Sequence, residues 1–528
     1  MNGETYDAVV IGAGPNGLVA ANHLVDEGRS VLVLEAQAEP GGAVASDRGL
    51  GPDYVLDTCS AFYPLGAASP WIKRMRLEEH GLVWRHAPAV LGHPLPDGRW
   101  AMLHRDRAIT ARLMDEQHPG DGAAWLRLCE QWDVIGEHLV GALLSPFPPV
   151  AHGLGGLARL RRAGGYGFVR DLLTPLVDYA RIHFGGEAPM LLLGGNAGHA
   201  DIPLSAPGST LFALLMTMLG QTVGFPVPEG GAGRLTAAMV SRLTSKGGVV
   251  RCQAPVTRVV VEGGRAIGVE LADSERIGAR MVIADVAAPR LFGDLVPAEQ
   301  LPRRIAQGMR GFQLDPGTVK VDWVLSGPIP WASAPPYAPG TFHVADSSVQ
   351  LVDALQKVSA GAIPAKPFLL GGQMTTTDPT RSPAGTETVW AYTHVPQRVL
   401  HDEGEDGLTG RWDEGECERF ADRIQGRIEA LAPGFGACIV GRRITGPHEF
   451  EARDANLIGG AINGGTAQLH QQLVFRPVPG LGRAETGIRG LYLGSASAHP
   501  GGGVHGAPGM NAARAALAHD RLRGLIGR

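Results

Sequence analysis

Cysteine is sparse in this chain of 528 residues: Cys59, Cys129, Cys252, Cys417 and Cys438 are odd in number and widely spaced. No C-x-x-C pair occurs among them, so neither a disulfide framework, a redox dithiol nor a zinc site is indicated. Lysine is scarcer still, with Lys73, Lys246, Lys320, Lys357 and Lys366 the only lysines among 47 basic residues. That bias reads as coding-sequence base composition rather than arginine-specific chemistry. A strong excess of either charge is also missing. The formal charge of −5 argues against the basic balance that nucleic-acid binding requires. There is no long hydrophobic run: Leu211 to Leu219 is well short of the ~20 apolar residues of a bilayer span and predicts a core or tunnel-lining helix. No charged, apolar and small-residue leader precedes the first strand, and the expectation is a cytoplasmic protein. With 44% hydrophobic residues the chain has the makings of a large core, for roughly two to four domains.

Glycine, by contrast, is abundant, and it is concentrated at two informative places. The apolar run Tyr6 to Ile11 predicts a parallel strand buried on both faces. It runs directly into Gly12-Ala13-Gly14-Pro15-Asn16-Gly17. Gly12 suits the tight turn, Gly14 the approach of backbone to a pyrophosphate, and Gly17 close packing of the next helix. That helix carries Leu18, Ala21, Leu24 and Val25 on one face and stops near Gly28. A second strand, Ser30 to Leu34, ends in Glu35, where a carboxylate would accept from the adenosine ribose hydroxyls. A bare GxGxxG is weak, but this ordered series predicts a dinucleotide site. The second place is His499-Pro500-Gly501-Gly502-Gly503. Paired with the first, it suggests one flavin adenine dinucleotide held by both ends of the chain.

Between them the chain alternates in character. Gly41 and Gly42 offer a further backbone approach to phosphate. Helical stretches broken by proline and glycine run from Ala61 to Phe225. A return near Pro228 to Leu235 leads to a hairpin, Val256 to Val261 and Ala266 to Leu271, whose start would flank the adenine near Val256. Met281 to Ala284 is a further strand. Strand patterns recur at Val319 to Leu325 and Thr388 to Tyr392, and Gly490 to Gly494 is a strand before an alanine-rich helix from Gly506. The fold class expected is mixed α/β: a Rossmann-like FAD-binding domain from residues 1–60, 226–300 and 481–528, and an α+β substrate domain from 61–225 and 301–480.

Several motifs together carry a family resemblance over essentially the whole chain. These are Tyr6 to Ala21, Pro40-Gly41-Gly42-Ala43, Asn456 to Gly460, Gln468 to Pro479 with Phe475-Arg476-Pro477-Val478-Pro479, and Leu491 to Leu493 leading into Ala498 to Val504. They resemble the phytoene desaturase-related branch of the flavin-dependent amine oxidase and desaturase superfamily. Within it, the chain is similar to the pyridine nucleotide-disulfide oxidoreductase domain protein 2 group. Ala43 is a departure, because carotene desaturases and amine oxidases usually carry arginine after the glycine pair. The resemblance implies FAD contacts at Gly12, Gly14, Pro15, Asn16, Gly17, Glu35, Gly41, Gly42, Ala43, Val256, Gly494, Ser495, Gly503, Val504 and Gly506. It also implies hydride transfer at flavin N5, with the positive end of the last helix near N1 and O2.

Catalytic candidates are Lys320, which matches by position a lysine that holds water near N5 in related amine oxidases, and His505, as an acid or base at the flavin face. The bland readings are an exposed strand lysine and a histidine satisfying backbone. His499 is read as shaping the glycine turn. His470, with Gln468, Gln471 and Gln472, reads equally as pocket lining or as solvated loop. Arg159, Arg161, Arg162 and Arg170 among Leu157, Leu160 and Phe168 read as a peripheral membrane contact or as an ordinary charged helix face. The leading function is FAD-dependent desaturation, saturation or isomerisation of a largely apolar small molecule, with oxygen, a quinone or a nicotinamide as acceptor. The alternatives are a flavin-binding regulatory protein with little turnover, and an amine oxidase. Aromatics make up only 6% of the chain, and no pair is placed at the flavin by sequence.

Overall fold

A computed structural model describes residues 5–526. The first strand, Thr5–Ile11, is apolar at four successive positions because both of its faces are covered. Ala8 and Val10 pack with Leu18 and Leu24 of the first helix, Pro15–Asp26, and with Met239. Val9 and Ile11 pack on the other side with Val259, Leu291 and Phe292. Such a strand belongs inside a parallel sheet. It runs between Val31–Leu34 and Arg276–Ala284, with Val10 opposite Val33 and Ile283. Val249–Arg251 extends one side, and Leu491–Leu493 joins the other in parallel.

The hairpin observed is Val256–Glu262 and Arg265–Leu271, joined through Gly263 and Gly264 at φ 53° and 71°. Two residues at positive φ match the twist of the flanking strands. The hairpin shares an edge with the C-terminal strand: Gly268 lies opposite Gly278, and Tyr492 lies opposite Ile283 on the same partner. The two ends of the chain thus meet in one seven-stranded sheet.

A second seven-stranded sheet has the order Ile439–Thr445, Gly317–Leu325, Glu387–Val395, Leu369–Gln373, Pro339–Val344, Ala89–Pro94 and Trp100–Leu103. Its last two strands come from the earlier excursion of the chain and join through the parallel pair Pro339–Val344 and Ala89–Pro94. Alternation divides its faces. Val319, Val321 and Trp323 pack with Phe420 and Ile424 of the helix Glu414–Glu429. Lys320 and Asp322 therefore share the other face with their cross-strand partners Tyr392 and Trp390. At the far end of the sheet, Leu91 and Leu103 pack against helices Asp121–Leu144, Glu187–Ala197 and Ser209–Thr222. Among the described residues no helix is long and apolar enough to cross a membrane.

Candidate functional site

The first strand ends in a cradle made mostly of backbone. A methyl on Gly17 would lie 2.2 Å from Gly12 O, so the helix sits directly on the turn. Glu35, buried at the end of the second strand, accepts the Ala13 N–H at 2.8 Å through one oxygen and the Gln37 N–H at 2.9 Å through the other. Each oxygen keeps a lone pair for a ribose hydroxyl. The adenine-side candidate Val256 is brought close, because the Ala254 N–H donates to Glu35 O at 2.8 Å. Gly41 donates to Ala13 O at 3.0 Å, and Gly42 packs over Gly14. Ala43 points its carbonyl away to Ser60.

The final helix, Ala507–Ile526, completes the cradle. A methyl on Gly509 would lie 1.9 Å from Asn16 O, and one on Gly506 2.5 Å from Val19 Cγ2, so two helix N-termini meet with almost no space between them. Asn16 Oδ1 and Asn511 Oδ1, one on each helix, are buried without a hydrogen-bond partner. Paired helix N-termini fit the phosphates of a dinucleotide, and the two amide oxygens, being acceptors, fit its hydroxyl groups.

The electrostatics contain a feature the sequence reading missed. Asp285 follows the strand Arg276–Ala284 just as Glu35 follows the second strand, and its Oδ2 accepts the Gly17 N–H at 2.7 Å. Burial pushes its carboxyl up to about 7, against the pull of that bond, with Asp454 and Glu35 adding repulsion. Asp454, beside Gly42, is also held above the ordinary carboxylate range, first by burial and then by Glu35. Three carboxyls therefore crowd a site where Ala43 brings only a methyl. Proton binding to Asp285 lets an anion approach.

The C-terminal glycine run approaches from the other side. Gly494 donates to Ala284 O at 2.8 Å, and Ser495 Oγ accepts the Ser497 N–H at 3.2 Å. Gly503 and Val504 back onto Leu65 and Gly66. His505 Nδ1 accepts the Ala507 N–H at 3.1 Å, which places the ring proton on Nε2, where it meets Gly502 O at 3.2 Å. Burial lowers this histidine to about 4. Both nitrogens are occupied, so the ring caps the final helix and holds the glycine run, a satisfied role rather than a free acid or base.

His499 is different: Nε2 meets Ser145 O at 3.1 Å, while Nδ1 is buried without a partner. Behind the run lies Arg476, fully buried, donating to the carbonyls of Asn463, Gly465, Thr466 and Ala496 at 2.7 to 3.4 Å. Its guanidinium carbon is 3.3 Å from where a Gly501 methyl would be. The Phe475-Arg476-Pro477 motif signalled this residue without its role.

Lys320 corrects the exposed reading. It is 2% exposed, paired with Asp322, and donates to Asp57 O at 3.0 Å. Asp322 also takes Arg443 at 3.0 Å. One of the ammonium's three donors thus joins the second sheet to the segment after the cradle, and another is spent on Asp322 of its own strand. His470 is exposed and meets Gln313 Oε1 at 3.1 Å, while Gln471 and Gln472 bond the backbone of Gln313 and Thr466. These residues pin a loop.

The sequence missed an aromatic and histidine wall. Trp390 and Tyr392 stack with centroids 5.9 Å apart at 22°, and Phe62 lies 6.0 Å from Trp390. Sequence alone placed no aromatic pair at the flavin; the fold stacks this one on the sheet face that also carries Lys320. Tyr392 Oη is 3.0 Å from His199 Nδ1. Burial pushes His199 down to about 3, with His394 adding to it. His394 lies beside Gly198, and its ring nitrogens make no well-formed hydrogen bond. The wall reaches the glycine run through Asn463, which donates to His199 O at 3.5 Å and packs against Gly502. Its signal was the period-two series Trp390, Tyr392, His394.

An apolar cavity of about 270 Å³ opens beside the same run. Leu139, Phe168, Leu211, Phe212 and Leu473 line it together with His499. The predicted helix around Leu211 to Leu219 supplies part of this lining. A larger groove of about 630 Å³, between Arg280, Tyr492 and Arg523, touches none of the cradle glycines.

Residues 10–76 match the family model of an NAD(P)-binding Rossmann-like domain. The chain is 29% identical over 561 residues to pyridine nucleotide-disulfide oxidoreductase domain-containing protein 2 of Mus musculus, covering 96% of this chain and 92% of that one. It is 25% identical over 533 residues to a lycopene-forming phytoene desaturase of Paracoccus sp., covering 96% of each. A solved structure of putrescine oxidase, redesigned at its cofactor site, superposes with a TM-score of 0.58 at 19% identity, covering 98% of this chain and 99% of that one.

Proposed function

We propose that this chain, a member of the desaturase and amine oxidase superfamily of FAD-type oxidoreductases, dehydrogenates a largely apolar small molecule, or runs the related saturation or isomerisation. The observation that carries this reading is the apolar cavity whose lining includes His499, the residue whose backbone continues into the glycine run. Bound FAD would supply the hydride acceptor, N5. The cofactor domain proposed comprises residues 1–60, 226–300 and 481–528, and the substrate domain the remainder.

The side chains have separable tasks. The cavity wall holds the hydrocarbon and excludes water, so polar contacts near it act in a dry medium. His499 Nδ1 offers a buried lone pair beside the cavity, and Tyr392 Oη with His199 orients a polar group by hydrogen bonding. Burial keeps these histidines neutral, so they act as hydrogen-bonding groups rather than cations. Arg476 sets a positive charge behind Gly501. Lys320 positions the junction, and His505 positions the final helix.

Amine oxidation is the second reading, favoured by the Trp390 and Tyr392 stack. Anaerobic mixing of the purified protein with panels of isoprenoids, lipids and amines, followed at the flavin absorbance, tests both. Bleaching by an apolar panel supports the first reading, and bleaching by amines alone replaces it with the second. A flavin that no panel bleaches would point to a regulatory role.

A further inference from the structure

We infer that the groove beside the last turns of the final helix is a second small-molecule site, taking an organic anion with an apolar body and a phosphate or carboxylate head. The groove lies at the opposite end of the nucleotide sheet from the cradle. Arg280 and Gly490 line it, and the strands they belong to or precede reach the cradle only at Ala284 and Leu493. The final helix spans the two places, about 24 Å from Ala507 to Arg523. Along it Ala516, His519, Asp520 and Arg523 recur at i, i+3, i+4 and i+7, so one face of the helix forms a wall of the groove.

The lining holds more positive charge than its own carboxylates neutralise. Arg265, Arg280, Arg489 and Arg523 stand against Glu485 and Asp520. Asp520 is already spent: Arg29 reaches it at 3.1 Å, Arg280 at 3.2 Å, and Arg523 pairs with it too. Glu485 faces His519 at 3.9 Å, a ring that also meets Tyr492 Oη at 3.0 Å. Arg265 and Arg489 have no carboxylate within ion-pair reach among the described residues. Each donates to a carbonyl instead, Arg265 to Arg280 O at 3.1 Å and Arg489 to Gly263 O at 2.6 Å. The backbone sets these two side by side, because they are partners in a parallel bridge. Burial, then the charges of Arg523 and Arg489, hold the Arg265 guanidinium below its ordinary range, as expected of cations crowded without a counter-ion.

The rest of the lining is apolar, with Met281, Ile488, Leu491 and Leu522 below and beside the arginines. A volume of about 630 Å³ is that of a small-molecule site, and a lining in two parts calls for a ligand in two parts. Guanidinium forks bind phosphate or carboxylate through paired N–H donors. A bare inorganic anion would leave the apolar lining wet, and a neutral hydrocarbon would leave Arg265 and Arg489 without a counter-ion. The site is separate from the cradle and stands whether or not the proposed chemistry holds, because its readout is binding.

Calorimetric titration of the purified, flavin-containing protein with octyl phosphate, octanoate, octanol and inorganic phosphate tests it. Both organic anions are expected to bind roughly tenfold or more tightly than octanol or inorganic phosphate, and the tighter of the two identifies the head group. The double variant Arg265→Gln with Arg489→Gln, and separately Leu522→Glu at an exposed position on the lining, are each expected to weaken that binding roughly tenfold or more. Flavin absorbance and thermal melting are expected to stay unchanged in both. No heat from either anion, octanol binding as tightly as the anions, or variants that bind as the parent does would overturn the site.

Discussion

The cradle and the wall solve recognition in opposite ways. The cradle is backbone closed by glycines and by two helices whose N-termini meet, and a methyl added at Gly12, Gly17, Gly41 or Gly509 would collide with backbone. The wall is made of side chains, Phe62, Trp390, Tyr392, His199 and His394, drawn from three stretches of chain into a dry interior. A site for an invariant phosphate group is best built from peptide N–H groups, which do not vary with sequence. A site that must choose among substrates is built from groups that do.

The strongest way to break this contrast is at the helix crossing. Gly509→Ala brings a methyl to 1.9 Å from Asn16 O, and forcing the helices apart is expected to cost about 3 kcal/mol or more and abolish flavin retention. Thermal melting and the visible spectrum read both. A stable variant that retains its flavin would show that the cradle tolerates side chains after all.

Lys320→Met tests the junction between the two regions. Removing the ammonium leaves Asp322 buried with Arg443 alone, so a loss of about 3 kcal/mol is expected, with turnover per bound flavin preserved. Full stability with turnover lost would instead move Lys320 into the reaction.

Asp285 makes the cradle sensitive to pH. Its carboxyl is raised from 3.8 to about 7 in the folded chain, so between those values the folded protein holds a proton that the unfolded chain has released. Stability from this group is present below the ordinary value and declines as pH rises to about 7, by up to about 1.4 kcal/mol per pH unit. Asp285→Asn keeps an acceptor for the Gly17 N–H and is expected to flatten that slope and strengthen flavin retention above pH 7. Chemical denaturation across pH checks it.

The smallest effect is at the wall. Tyr392→Phe removes one hydroxyl while keeping the stack, and a fall of about tenfold in kcat/KM at unchanged flavin content is expected, the worth of one buried hydrogen bond. An unchanged kcat/KM would reduce the wall to packing.

The same contrast explains what was legible in the chain. Gly12 to Gly17 and Glu35 declare themselves because their spacing is local and each residue type follows from backbone geometry. A strand was recognised over Thr388 to Tyr392, short of His394, yet what its faces met was not, since period two marks two faces without naming their neighbours. Lys320 looked exposed because its partners include Asp57, distant in sequence. His505 looked reactive because its capping of Ala507 depends on the cap geometry at the start of the last helix.

The sequence by itself determined the mixed α/β class, the dinucleotide turn, the hairpin and the acidic end of the second strand, because these rest on periodicity and on the steric limits of neighbouring residues. Only the tertiary structure decided that Asp285 stands behind Gly17, that Arg476 stands behind Gly501, and that Tyr392 meets His199. Those contacts join residues that are far apart in the chain, and burial then sets their protonation, a quantity fixed by the surrounding medium rather than by the residue alone.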